Sequence, residues 1–235
     1  MRASDGTPRS SRRLEFGAPH VEGPRHAPDR PMNFRSLSTL AALVVFAGCA
    51  SGPPPAPFFV ESATPLAAPP ADKAQIVFVD PANAIQGAFP AWLYEVNGKD
   101  RSLLAVMGPH SKSVQLVAPG HHMFASDAPG GAHILEADVA AGKRYYVLVR
   151  FVYAHGMQLR PLRATGTSEY SVNFKEFPEW LASTTFFVKT PAADDFNQKH
   201  DVYAKEQEAG LAEWNKKTPA QRAELTLNVE DAVDR

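Results

Sequence analysis

The sequence predicts a mainly β chain, an antiparallel β-sandwich followed by C-terminal α-helices. Three observations predict it. Short apolar stretches recur between residues 73 and 163 at a spacing of about ten residues. Turn-forming pairs and triplets (Asn97-Gly98, Pro119-Gly120, Ala141-Gly142-Lys143) separate them. Beyond residue 190 the pattern becomes charged, with apolar residues at helical spacing.

The strands follow in order. Gln75 to Asp80 is a continuous apolar run of buried-strand length. Ala91 to Val96 alternates, setting Trp92, Tyr94 and Val96 on one face, and Asn97-Gly98 supplies two residues that tolerate positive φ in a type I′ hairpin turn. Ser102 to Met107 returns from that turn. Gly108-Pro109-His110-Ser111 breaks the chain, Ser113 to Ala118 is the next strand, and Pro119-Gly120 turns it into His121 to Ser126. After Ala128-Pro129-Gly130-Gly131 comes His133 to Val139, and Ala141-Gly142-Lys143 reverses into Arg144 to Tyr153. In that strand Tyr145, Val147, Val149 and Phe151 oppose Tyr146, Leu148 and Val152, so both faces are apolar. It belongs in the middle of a sheet, covered on one side by a second sheet and on the other by something later in the chain.

Residues 166–235 are an aromatic segment and a helical region. Phe174, Phe177, Trp180, Phe186 and Phe187 are expected to pack against the sandwich rather than bind a ligand. Thr190-Pro191 opens a helix expected to run to Lys217, with Phe196, Tyr203, Gly210 and Trp214 on one stripe. Thr218-Pro219-Ala220-Gln221 is a capping box opening a second helix, followed by Ala223, Leu225, Leu227 and Val229.

The N-terminal part carries an address. Leu37 to Gly48 is a short apolar run preceded by Arg35 and ending in Ala47-Gly48 before Cys49, the only cysteine. It is too short for a membrane span of about 20 residues and has the layout of an export signal. Ala47-Gly48-Cys49 resembles the lipobox of bacterial lipoproteins, with Phe46 where that family usually carries an aliphatic residue. The resemblance implies a diacylglycerol on Cys49; the alternative is a plain signal peptide that leaves Cys49 a free thiol. Residues 32–48 are then the signal, starting at Met32, and 1–31 an upstream extension or disordered segment rich in Arg and Pro. Residues 49–72, dominated by Pro and Ala, read as an extended tether, and 73–165 as the sandwich domain. In lipoproteins an Asp after the cysteine commonly retains the chain at the inner membrane. Ala50 stands there, which implies lipid anchoring in the outer membrane, with the domain facing the periplasm.

Ala118-Pro119-Gly120-His121-His122 and Ala140 to Val147 together resemble bacterial envelope proteins with a small Ig-like or PEGA-like β-sandwich (domain of unknown function 2846). That resemblance covers about 90 residues and implies a lipid-anchored envelope protein without known catalytic residues; no cofactor or metal is expected. In it His122 matches the motif histidine, expected to bond turn backbone. The chain has 24 basic and 25 acidic residues, and seven arginines but only four acidic residues fall before Cys49. The remainder is therefore mildly acidic and lacks the basic stripe of a nucleic-acid binder. No nucleophile elbow, His-Glu-x-x-His pair or phosphate loop occurs. His110, His121, His122, His133 and His155 are the best metal candidates, but adjacent strand residues point to opposite faces, so His121 and His122 do not share an ion. Asp194-Asp195 reads as first-turn helix charge. The sequence thus points to a lipid-anchored, non-catalytic binding or structural module with an envelope protein partner. The alternative is a small-molecule, metal or glycan site between sandwich and aromatic segment near Trp180.

Overall fold

A computed structural model describes residues 56–63, 66–82, 90–128, 131–153, 155–201 and 204–233, all within the unit Ser51–Arg235. Cys49, the expected signal over 32–48 and the first residues of the expected tether lie outside them. The described residues form a mainly β structure of two sheets with helices toward the C-terminus. The strands are β1 (Phe59–Glu61), β2 (Ala74–Asp80), β3 (Ala91–Asn97), β4 (Asp100–Met107), β5 (Ser111–Val117), β6 (Gly120–Ala128), β7 (Gly131–Val139), β8 (Arg144–Val152), β9 (Gly156–Pro161), β10 (Thr185–Lys189) and β11 (Thr226–Leu227). The helices are α1 (Phe177–Ser183), α2 (Pro191–His200), α3 (Ala204–Lys216) and α4 (Pro219–Glu224), with a closing 3-10 turn at Val229–Asp231.

A six-stranded sheet has the order β1-β10-β5-β2-β8-β9, and a five-stranded sheet the order β11-β7-β6-β3-β4. Both are mixed, which corrects the expectation of purely antiparallel sheets. β2 pairs with β8, β10 with β5 and β11 with β7, all in parallel. The reason lies in the connections. After β2 the chain leaves for the hairpin β3–β4, returns as β5, leaves again for β6–β7 and returns as β8, and detours of this length allow parallel neighbours.

One apolar cluster joins Ile76, Phe78, Tyr145, Val147 and Leu159 of the six-stranded sheet to Leu93, Met107, Phe124 and Leu135 of the other. Phe78 and Phe124 meet edge to face at 5.7 Å. Full burial of each such side chain contributes about 1.5–3 kcal/mol. β8 sits inside its sheet as expected, with Tyr145, Val147 and Val149 in this core and Tyr146 and Leu148 in another. That second core is closed by Leu162, Val172, Phe177 and Val233, the later cover anticipated from the apolar faces of β8. A third core, on the outer face of the five-stranded sheet, holds Trp92, Tyr94, Ala125, Ile134, Ala193 and Trp214.

Four local expectations change. The β3–β4 turn has Gly98 and Lys99 between paired Asn97 and Asp100, and of the two only Gly98 has positive φ (62°), as a type II′ loop requires. Residues 56–63 and 66–72 of the expected tether are docked on the fold rather than free of it. Phe59–Glu61 pairs with β10, the Phe58 ring stands 5.3 Å from Trp92, and Ala67 O accepts from Arg144 and Gln75. Its proline content masks Phe58-Phe59-Val60, three residues of high strand propensity. The helix expected over 191–217 is two helices, because α2 ends at Asp201 in the left-handed conformation (φ 44°), which Asp tolerates better than most residues. The capping box at Thr218 is present, with Gln221 N–H donating to Thr218 Oγ1 and Thr218 N–H to Gln221 Oε1. Its helix nevertheless stops at Glu224. Ala223, Leu225, Leu227 and Val229 recur at intervals of two, a strand period, and Leu227 is buried in β11 beside β7.

Candidate functional site

The outer face of the six-stranded sheet is only half covered. Over β2 and β8 it carries residues 162–181 and Val233. Over β1, β10 and β5 it is an open apolar groove of about 290 Å³, lined by Leu66, Val114, Leu116, Phe186, Phe187 and Val188 with Ser62 and Gln75 as its polar groups. Leu116 is 52 % exposed and Val188 49 %, and Val60 pairs across the strands with Val188. Scattered apolar side chains are ordinary on a surface; a contiguous strip on one sheet face is a candidate contact site.

The groove stands on a hydrogen-bonded polar floor. Arg144, 6 % exposed, donates from Nε to Gln75 Oε1 (2.6 Å) and from Nη2 to Ala67 O (2.6 Å). At the other end Lys112 Nζ donates to the carbonyls of Leu181 and Thr184 (2.5 and 2.6 Å) and lies 4.6 Å over the Phe186 ring. It satisfies orphan carbonyls at the end of α1, and burial holds its ammonium below the usual lysine range.

The predicted aromatic segment divides. Phe177 is 4 % exposed and packs edge-on to Tyr146 at 5.1 Å, with Phe174 and Trp180 around it, so these rings belong to the core as expected. Phe186 and Phe187 are half-buried, Phe187 packing edge-on against Phe59 at 5.2 Å, and both also line the groove. Trp180 also borders an open hollow of about 490 Å³ with Leu148, Phe151, Arg150, Glu169 and Tyr153, the last 87 % exposed.

The histidines scatter. His122 bonds the turn backbone as expected, its Nε2 2.8 Å from Ala118 O, and its Nδ1 lies 2.6 Å from Glu95 Oε1. His121 faces Asp138 at 3.0 Å, and His110 sits in the β4–β5 turn with φ 53°. His133 and His155 do come together: His133 Nε2–H donates to His155 O (2.8 Å) at a cleft between β7 and α3 that Gly210, Trp214 and Lys217 also line. Burial first, then the charges of His155, Lys217 and Arg160, hold the His133 imidazole below its usual range, against the hydrogen bond to His155 O. Among the described residues no group of three or more His, Cys, Asp or Glu is arranged to hold a metal. Asp194 lies in the first turn of α2 and pairs with Lys189.

Two carboxylates escaped the sequence reading. Asp80 and Asp127 are buried, and burial pushes each up to about 7. Asp80 Oδ1 accepts from Ala82 N–H at 2.9 Å. Strand alternation was the available signal: it sets Asp80 on the face of Ile76 and Phe78, and Asp127 on the face of Ala125. Neither is a position where a solvated carboxylate fits.

No protein-family model matches this chain, and no curated protein matches it.

Proposed function

We propose that this chain is a lipid-anchored bacterial envelope protein whose two sheets form an Ig-like or PEGA-like sandwich, acting as a non-catalytic binding or structural module. The anchor is the thiol of Cys49 and the location the periplasmic side of the outer membrane, a reading that rests on Ala47-Gly48-Cys49 and Ala50. The observation that carries the binding role is the groove over β1, β10 and β5, where Leu116 and Val188 present apolar surface on a floor fixed by Arg144. A protein partner offering apolar side chains would bury that surface at about 25 cal/mol per Å². The test has two arms. Mass spectrometry of the mature amino terminus is expected to find a diacylglyceryl Cys49, and an unmodified thiol refutes the anchor. A photoreactive residue at position 116 or 188 in intact cells is expected to capture one reproducible protein, and capture of none refutes the binding role.

A second reading is favoured by the hollow at Trp180. An exposed Tyr153, a tryptophan and the pair Arg150 and Glu169 are the groups that hold a glycan or small polar molecule. Quenching of Trp180 fluorescence by cell-wall oligosaccharides would favour it; an unchanged spectrum at millimolar sugar would remove it.

A further inference from the structure

Asp127 is fully buried on β6, and neither carboxylate oxygen has a hydrogen-bond partner. The cation facing it is Arg101 of β4, whose Nη1 stands 3.6 Å from Oδ2, beyond normal hydrogen-bond length. The guanidinium is engaged elsewhere. Nη2 donates to Asp201 Oδ1 at 2.6 Å, Nη1 reaches Gln207 Oε1 of α3 at 3.5 Å, and the Tyr94 ring of β3 lies 4.6 Å from its centre. Arg101 therefore stands between two carboxylates, one sealed and one at the end of α2. That end is closed by Asp201 in the left-handed conformation, and its N–H donates to Asn197 O. Asn197 in turn accepts from the Tyr94 hydroxyl at 2.8 Å.

We propose that Asp127, Arg101 and Asp201 form a proton-operated latch that ties the C-terminal end of α2 to the five-stranded sheet. With Asp127 protonated, the guanidinium belongs to Asp201. Ionised Asp127 has no other donor, so it draws Arg101 inward and the Asp201 contact weakens. Burial opposes ionisation of Asp127 most strongly; of the charged groups acting on it, Arg101 from β4 favours ionisation and Glu206 from α3 opposes it, so burial and Glu206 together outweigh Arg101 and set the proton's release near neutrality. The folded chain holds this proton more tightly than the unfolded one, so acid closes the latch and alkali opens it.

Hydrogen exchange on the full chain, corrected for intrinsic rates, tests this at about pH 6 and about pH 8.5. The amides from Asn197 to Asp201 are expected to lose about tenfold in protection at the higher pH. Asp127→Asn should keep the protected state at both pH values, and Asp201→Asn should lack it at both. Equal protection of the wild-type chain at the two pH values overturns the latch, as does an Asp127→Asn chain that keeps the wild-type dependence. Should Asp127→Asn fail to fold, carbon NMR of the wild-type Asp127 carboxyl decides. A midpoint near 7 with the Asp201 amide moving in step supports the latch. A midpoint near 4, or one near 7 with Asp201 unmoved, overturns it.

Discussion

The two sheets treat their outer faces differently. On the five-stranded sheet Trp92, Tyr94 and Ile134 are sealed under Trp214 and Ala193, and the Trp214 indole N–H donates to Glu136 at 3.1 Å. On the six-stranded sheet the cover stops half-way, and Leu116 and Val188 stay in solvent. A sealed face contributes stability. An unsealed apolar face costs solvation and is retained where it meets something else. The difference gives one outer face a stabilising role and leaves half of the other as the surface on which the proposed binding role rests.

Substitutions can break or sharpen that contrast. The largest effect belongs to the sealed face: Trp214→Ala empties a buried site and orphans Glu136, and should cost about 3–5 kcal/mol in urea unfolding. A loss below about 1 kcal/mol would show that α3 seals nothing. Next come the buried carboxylates, one on each sheet. Both are raised to about 7 in the folded state against about 4 in the unfolded chain, so their contribution is complete below pH 4 and falls as pH rises to 7. Stability in urea unfolding should decline over that window, and Asp80→Asn should flatten part of the slope. Arg144→Met probes the groove floor. It leaves Ala67 O and Gln75 Oε1 without these donors and should cost about 1–3 kcal/mol, with faster proteolysis around residue 67. The smallest stability effect is on the open face: Leu116→Ser should stay within about 0.5 kcal/mol while reducing crosslinking to the proposed partner. A large destabilisation there would make the groove part of the core and erase the contrast.

Much of the β region was legible because β2 to β8 are long enough to show run, alternation and turn chemistry. Thr190-Pro191 and Thr218-Pro219 likewise declared two helix starts. What stayed hidden was short or non-local. β1, β10 and β11 have three, five and two residues, too few for a period, and exist because an edge elsewhere accepts them. The break at Asp201 carries no glycine to announce it. Parallel neighbours cannot be read from strand order, and the groove is a product of that pairing, since Leu66, Leu116 and Val188 meet only after β10 inserts between β1 and β5. His133 and His155 were singled out as residue types, but their meeting depends on β9, a strand the sequence did not signal.

The pairing of β1 with β10 has a consequence for how the chain acquires its shape. Thr190 Oγ1 donates to Pro57 O across 133 residues, and Val233 N–H closes onto Arg144 O. Contacts this distant make closure slow, because loop entropy is lost before they form. Until Thr185–Lys189 leaves the ribosome or a translocation channel and pairs with β5, Phe59 to Glu61 has no edge to join. The segment next to the proposed anchor is thus among the last to be committed, open to chaperones and proteases while the rest of the chain is already collapsing.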